Sequence, residues 1–111
     1  MPSDRTADYL SHILTEIDVA ERAVAGLSLE EFSADELRLR AVVRCLEIIS
    51  EASGRLPEEL KTKYPDVPWS EIAGAGNIYR HGYDGVLAWR IWETAKGLHD
   101  LRAVVERELS A

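Results

Sequence analysis

The stretch "ADELRLRAVVRCLEIISEASG", residues 34–54, constrains the fold more than any other part of this chain. At 100° per residue, its apolar side chains cover an arc of about 200° on a helical wheel. The charged residues crowd into a wedge about 60° wide. We call this the polar wedge, and its members are Arg40, Arg44, Glu47 and Glu51. A helix that is apolar around so much of its circumference needs neighbours on several sides, so we expect it at the centre of a helical bundle.

The polar wedge has two interpretations, and the residues alone do not choose between them. It can be an exposed seam held by pairs such as Arg44–Glu47, each contributing about 0.3 kcal/mol. Alternatively, the wedge lines a cleft. In that case Arg44, Glu47 and Glu51 are candidates for contact with a ligand, and Asp84 is a further candidate to line the cleft.

Helical spacing and end signals predict the other elements as well. Long helices are expected over residues 4–26, 69–80 and 86–109, with short helical turns within 27–35 and 57–63. Ser3 is the expected cap of the first helix, and Ser33 with Glu36 reads as a capping box for the central one. No segment shows a strand pattern. The expected fold is a single all-α domain, residues 1–111, built as an up-and-down bundle of four to five helices.

Composition limits where such a protein works and what it binds. The lone thiol of Cys45, within an apolar run, has no internal disulfide partner and suits a reducing cytoplasm. No signal peptide and no apolar run of the roughly 20 residues that span a bilayer are expected. The net charge of −7 disfavours a general nucleic-acid binder, which ordinarily presents a basic face. Binding RNA would therefore require a local basic cleft.

The stretch "GNIYRHGYDGV", residues 76–86, gathers reactive side chains between glycines. Asn77 and His81 lie one helical turn apart, and Tyr83 and Asp84 follow Gly82. His81 is a candidate acid–base group, because histidine titrates near neutral pH. In the alternative interpretation the tyrosines close the end of the bundle and Asp84 caps the last helix. The three histidines lie on separate segments without ligand spacing, so neither a metal nor another cofactor is expected.

Much of the chain, in particular "LEIISEA", "PDVPWSEIAG" and the H-x-Y of His81 and Tyr83, resembles the HepT-like branch of the HEPN superfamily. The resemblance implies a compact helical homodimer that acts as the toxin of a toxin–antitoxin pair. The partner would be a small nucleotidyltransferase antitoxin. The activity implied is endoribonuclease cleavage of RNA, such as tRNA or mRNA, through the 2′-hydroxyl without a metal. In some members the partner adenylylates the motif tyrosine, which corresponds to Tyr83.

The chain departs from the motif of that family at one position. The motif reads arginine, a polar residue, three or more residues, histidine, any residue and tyrosine. Asn77, His81 and Tyr83 match it, but Gly76 stands where the arginine is expected. Arg80 lies one turn further along, and Arg44 of the polar wedge could supply the cation from its own chain or across a dimer. The third alternative is a weak or inactive enzyme that binds its nucleotidyltransferase or accepts AMP on Tyr83.

Overall fold

The computed structural model describes residues 2–81 and 88–111, with the backbone alone for 77–81. The helices are α1 (Asp4–Val24), α2 (Leu29–Ala34), α3 (Glu36–Gly54), α4 (Glu58–Lys63), α5 (Trp69–His81), α6 (Ala88–Lys96) and α7 (His99–Ser110). These described ranges contain no strand. The prediction of an all-α helical bundle is therefore confirmed. None of the described helices combines the length and apolarity needed to cross a membrane.

The helix starts show one correct and one wrong prediction. Ser3 caps α1, because its hydroxyl accepts a hydrogen bond from the amide of Thr6 at 3.2 Å. The predicted capping box of Ser33 and Glu36 is wrong. Ser33 lies inside α2, so the extended residue that opens α3 is Asp35, whose carboxylate accepts from the amide of Arg38. The capping box of this region is formed by Ser28 and Glu31, at the start of α2.

The C-terminal segment is interrupted where the sequence predicted one continuous helix over 86–109. The amide of Gly97 donates to the carbonyls of both Glu93 and Thr94 at 3.1 Å, and α6 ends at Lys96. The amide of Leu98 then reaches only three residues back, to Ala95. Glycine is among the weakest helix formers, so the helical ladder is easily shifted to this tighter pattern.

Helix α3 packs most extensively against α1 and α5, which is the central position that its apolar arc predicts. The buried core draws on most of the helices, including Leu10, Ile13 and Ile17 of α1, Phe32 of α2, Val42, Leu46 and Ile49 of α3, and Ile91, Leu101 and Val105 of α6 and α7. At one edge of the apolar arc the structure differs from the prediction, because Leu37 is 82% exposed. The buried arc is thus narrower than the apolar pattern alone indicates.

The buried thiol of Cys45 should make the protein less stable as the solution becomes alkaline. Burial, together with the neighbouring Glu16 carboxylate, raises the pKa of Cys45 to about 12. An unfolded cysteine loses its proton near pH 8.5, so between these values the unfolded state binds fewer protons than the folded state. The contribution of the protonated Cys45 thiol to the free energy of unfolding is fully present below about pH 8.5 and is lost as the pH rises toward 12. The maximum loss is about 1.4 kcal/mol per pH unit.

Urea unfolding of the wild type and of Cys45→Ala between pH 8 and 10.5 measures this effect. We expect a shallower decline in the free energy of unfolding for Cys45→Ala, because the groups that titrate elsewhere are shared by both proteins. Equal slopes would show that the thiol is not protected from ionisation.

Candidate active site

The described backbone carries α5 through residue 81, one residue beyond the predicted end of that helix. Asn77, Arg80 and His81 therefore share its last turns, and positions 77 and 81 lie one turn apart on a continuous helix. Tyr83 and Asp84 lie outside the described residues. The assignment of these five residues to the site stays a prediction.

Contacts between α3 and α5 show how the two helices are aligned. A Cβ atom placed on Gly54 would lie 3.5 Å from the Cβ atom of Ala73. Four residues earlier in α3, the hydroxyl of Ser50 lies 2.9 Å from the amide nitrogen of Gly76. The residue number falls along α3 as it rises along α5, so the helices run antiparallel.

This alignment places Arg44 and His81 toward the same end of the helix pair. Arg44 precedes Ser50 by six residues, a rise of about 9 Å along α3. His81 follows Gly76 by five residues, a rise of about 7.5 Å in the same direction along α5. Glu47 lies between Ser50 and Arg44, whereas Glu51 lies on the other side of Ser50, further from His81.

The polar wedge of α3 is a line of ion pairs within the described structure, exposed except at Glu47, whose side chain is 19% exposed. Arg44 lies 3.9 Å from Glu47, which is the pair that the sequence predicts. Arg40 pairs with Glu36 at 2.8 Å, and Arg55 holds Glu51 at 3.1 Å. The charge pairs of the seam interpretation are therefore present, and contact of the wedge with a ligand stays a prediction.

Arg44 is only loosely held in this seam. Its side chain is 70% exposed, and 3.9 Å is too long for a hydrogen bond to Glu47. Exposed ion pairs typically contribute about 0.2–1 kcal/mol. Leaving Glu47 for a phosphate would therefore cost Arg44 little.

Gly76 occupies the position where the resemblance places an arginine. It is buried, and its amide is hydrogen-bonded to Ser50 of α3. The cation expected from the motif is absent at this position, so Arg80 and Arg44 remain the candidates. Sequence reasoning missed Ser50. The available signal was a hydroxyl within the apolar arc of α3, but the sequence does not show what that hydroxyl contacts.

A groove of about 720 Å³ lies between α3, α5 and the C-terminal helices. Its walls are largely apolar and include Leu46, Ile72 and Leu101. Its other lining residues include three carboxylates and one arginine, namely Asp66, Glu71, Asp100 and Arg90. This excess of negative charge would repel a phosphate backbone, so we do not assign RNA to this groove.

The family model for HepT-like ribonucleases matches residues 13–108 of this chain. "Putative RNase TTE0752" of Caldanaerobacter subterraneus subsp. tengcongensis is 48% identical over 78% of this chain and 77% of its own length. "Probable ribonuclease HepT" of Thermococcus cleftensis is 37% identical over 80% of this chain and 81% of its own. No solved structure gives a significant match. The family match covers all the helices except the beginning of α1 and the end of α7, and the chain belongs to the HepT-like ribonuclease family.

Proposed function

We propose that this protein is a ribonuclease, and specifically an endoribonuclease that uses the 2′-hydroxyl of its RNA substrate as the nucleophile. The membership of the chain in the HepT-like ribonuclease family carries this proposal. The antiparallel alignment of α3 and α5 supports it, because the backbone brings the His81 and Arg44 positions to the same end of the pair.

The chemistry requires a proton acceptor, a proton donor and a cation. The neutral imidazole of His81 accepts the proton of the 2′-hydroxyl, whose oxygen then attacks the adjacent phosphorus. The bond from phosphorus to the 5′-oxygen breaks, and a protonated group gives that oxygen its proton. An arginine stabilises the charge that builds on the phosphate oxygens, and Asn77 orients the imidazole or the phosphate. The products are a 2′,3′-cyclic phosphate and a free 5′-hydroxyl.

A homodimer with a composite site supplies what one chain lacks. Two-fold symmetry that brings two motifs together provides a second histidine as the proton donor. It also concentrates arginines locally, which offsets the net charge of −7. Trp89, 48% exposed in the first turn of α6, is a candidate for the interface. In this proposal the dimer is the toxin of a toxin–antitoxin pair, and a nucleotidyltransferase antitoxin silences it by modifying Tyr83.

Replacing Arg80 with alanine should lower kcat/KM for RNA cleavage by about 100-fold, or about 2.7 kcal/mol. The physical reason is that Arg80, one helical turn after Gly76, supplies the cation that stabilises the transition state. Cleavage of labelled tRNA by Arg80→Ala, Arg44→Ala and the control Arg5→Ala measures the effect. Arg5 is an exposed arginine in the first turn of α1, so its removal changes net charge equally.

We expect kcat/KM to fall less than about tenfold in Arg44→Ala and less than about twofold in Arg5→Ala, because the proposal assigns the main phosphate-stabilising role to Arg80. A wild-type rate for Arg80→Ala would reject the role of Arg80. If Arg44→Ala then lost about 100-fold, the cation would come from α3 instead.

Burial of Gly76 at the arginine position favours a second candidate function. In this alternative the protein binds its nucleotidyltransferase, or carries AMP on Tyr83, without cutting RNA. Co-expression with such an enzyme followed by mass spectrometry distinguishes the two functions. Modified Tyr83 in a protein whose unmodified form leaves RNA intact would support the alternative.

A further inference from the structure

Ser50 joins α3 to α5 by two hydrogen bonds from one hydroxyl. The side chain is 2% exposed. Its Oγ donates to the carbonyl oxygen of Ala73 at 2.7 Å and accepts from the amide of Gly76 at 2.9 Å. Both bonds have the usual length for their type, and both go to the backbone of the neighbouring helix. The hydroxyl thus fastens the turn of α5 that directly precedes residues 77–81.

That turn needs an external support. In a regular helix the carbonyl of Ala73 accepts from the amide of residue 77, and the amide of Gly76 donates to Ile72. The Ser50 hydroxyl contacts both groups, so α3 adds two hydrogen bonds to this turn of α5. Gly74 and Gly76 also weaken helix formation here by about 1 kcal/mol each relative to alanine. The geometry of the last turn therefore depends on its contact with α3.

We infer that Ser50 is a positioning residue for the RNA-cleaving site, an inference that rests on the proposed ribonuclease function. Its hydroxyl sets where the last turn of α5, which carries Arg80 and His81, lies relative to Arg44 on α3. Ser50 is too deeply buried to touch RNA, so it acts only through the helix that it holds. Small displacements of reacting groups are costly, since about 1 Å can reduce a rate 100-fold.

Ser53 provides a matched control on the same helix. It lies three residues from Ser50, is 0% exposed, and its hydroxyl has no hydrogen-bond partner among the described residues. Ser53→Ala removes the same atom from the same depth of the bundle as Ser50→Ala. Of the two substitutions, Ser50→Ala is the one that removes hydrogen bonds to α5.

The test compares steady-state RNA cleavage by wild type, Ser50→Ala and Ser53→Ala, well below their melting temperatures. We expect kcat of Ser50→Ala to fall about tenfold with KM within about twofold, because the reacting groups are misplaced while RNA binding persists. Ser53→Ala should keep both constants within about twofold of the wild type on the same reasoning. A kcat near wild type for Ser50→Ala, or an equal loss in Ser53→Ala, would overturn the inference.

Amide hydrogen exchange gives a readout that does not require activity. The amides of Gly76 and of residues 77–81 should exchange faster in Ser50→Ala and be unchanged in Ser53→Ala. Unchanged exchange in Ser50→Ala would overturn the fastening role even in an active enzyme. If wild-type protein cut no RNA while exchange changed as expected, the proposed function would fail and the link from α3 to α5 would stand.

Discussion

Replacing His81 with alanine is expected to lower RNA cleavage by about 10²–10⁴-fold, the usual contribution of a positioned acid–base group. The imidazole is the only group of the motif whose ordinary pKa allows it to take and give a proton near neutral pH. Purified wild type and His81→Ala, assayed on total RNA and on tRNA, provide the measurement. Thermal melting should change little, because the proposed role of His81 is chemical.

His12 offers a matched control, since it is an exposed histidine on α1. His12→Ala should keep the wild-type rate, and its rate should keep the same dependence on pH. If His81→Ala cleaved RNA as fast as the wild type, His81 would have no part in the reaction. If His12→Ala lost as much activity as His81→Ala, the loss could not be assigned to the site.

Phe32→Ala should cost about 3–5 kcal/mol in the free energy of unfolding, the range for deleting a large buried aromatic side chain. Phe32 is 0% exposed and is the only residue of α2 that is buried. A six-residue helix is too short to be stable alone, so α2 depends on this anchor against its neighbours. Denaturant unfolding followed by circular dichroism measures the loss.

Leu37→Ala is the control, five positions further along the chain at a site that is 82% exposed. Folding buries little of the Leu37 side chain, so the free energy of unfolding of Leu37→Ala should stay within about 0.5 kcal/mol of the wild type. Similar losses for the two variants would contradict the packing described for α2.

The helices were predictable because their apolar spacing and end signals are local. Ser3 caps α1 as predicted, and the stretch that predicts the central helix ends at Gly54, as α3 does. The failures also have local causes. Two serine–glutamate pairs have the spacing of a capping box, Ser28–Glu31 and Ser33–Glu36, but only Ser28 precedes a helix, because Ser33 lies within α2. The break after Lys96 depends on a shift in the hydrogen-bond ladder, which a single glycine permits but does not require.

The site was predictable only in part, because its motif is local and its surroundings are not. Asn77, His81 and the missing arginine at Gly76 can be read from the sequence. Arg44 and the last turn of α5 lie toward the same end of the helix pair because α3 and α5 pack antiparallel, and this packing is not a local property of the sequence. Ser50 links the two helices by hydrogen bonds, and nothing in the pattern of α3 shows which backbone groups a buried hydroxyl will reach.

Cleavage of a short RNA carrying one 2′-deoxy nucleotide at the cut position tests the central claim most directly. The assay is run in EDTA with the unmodified RNA alongside. We expect wild-type protein to cut the unmodified RNA to a 2′,3′-cyclic phosphate and to leave the 2′-deoxy position intact. Cleavage at the 2′-deoxy position, or no cleavage of either RNA, would contradict the account.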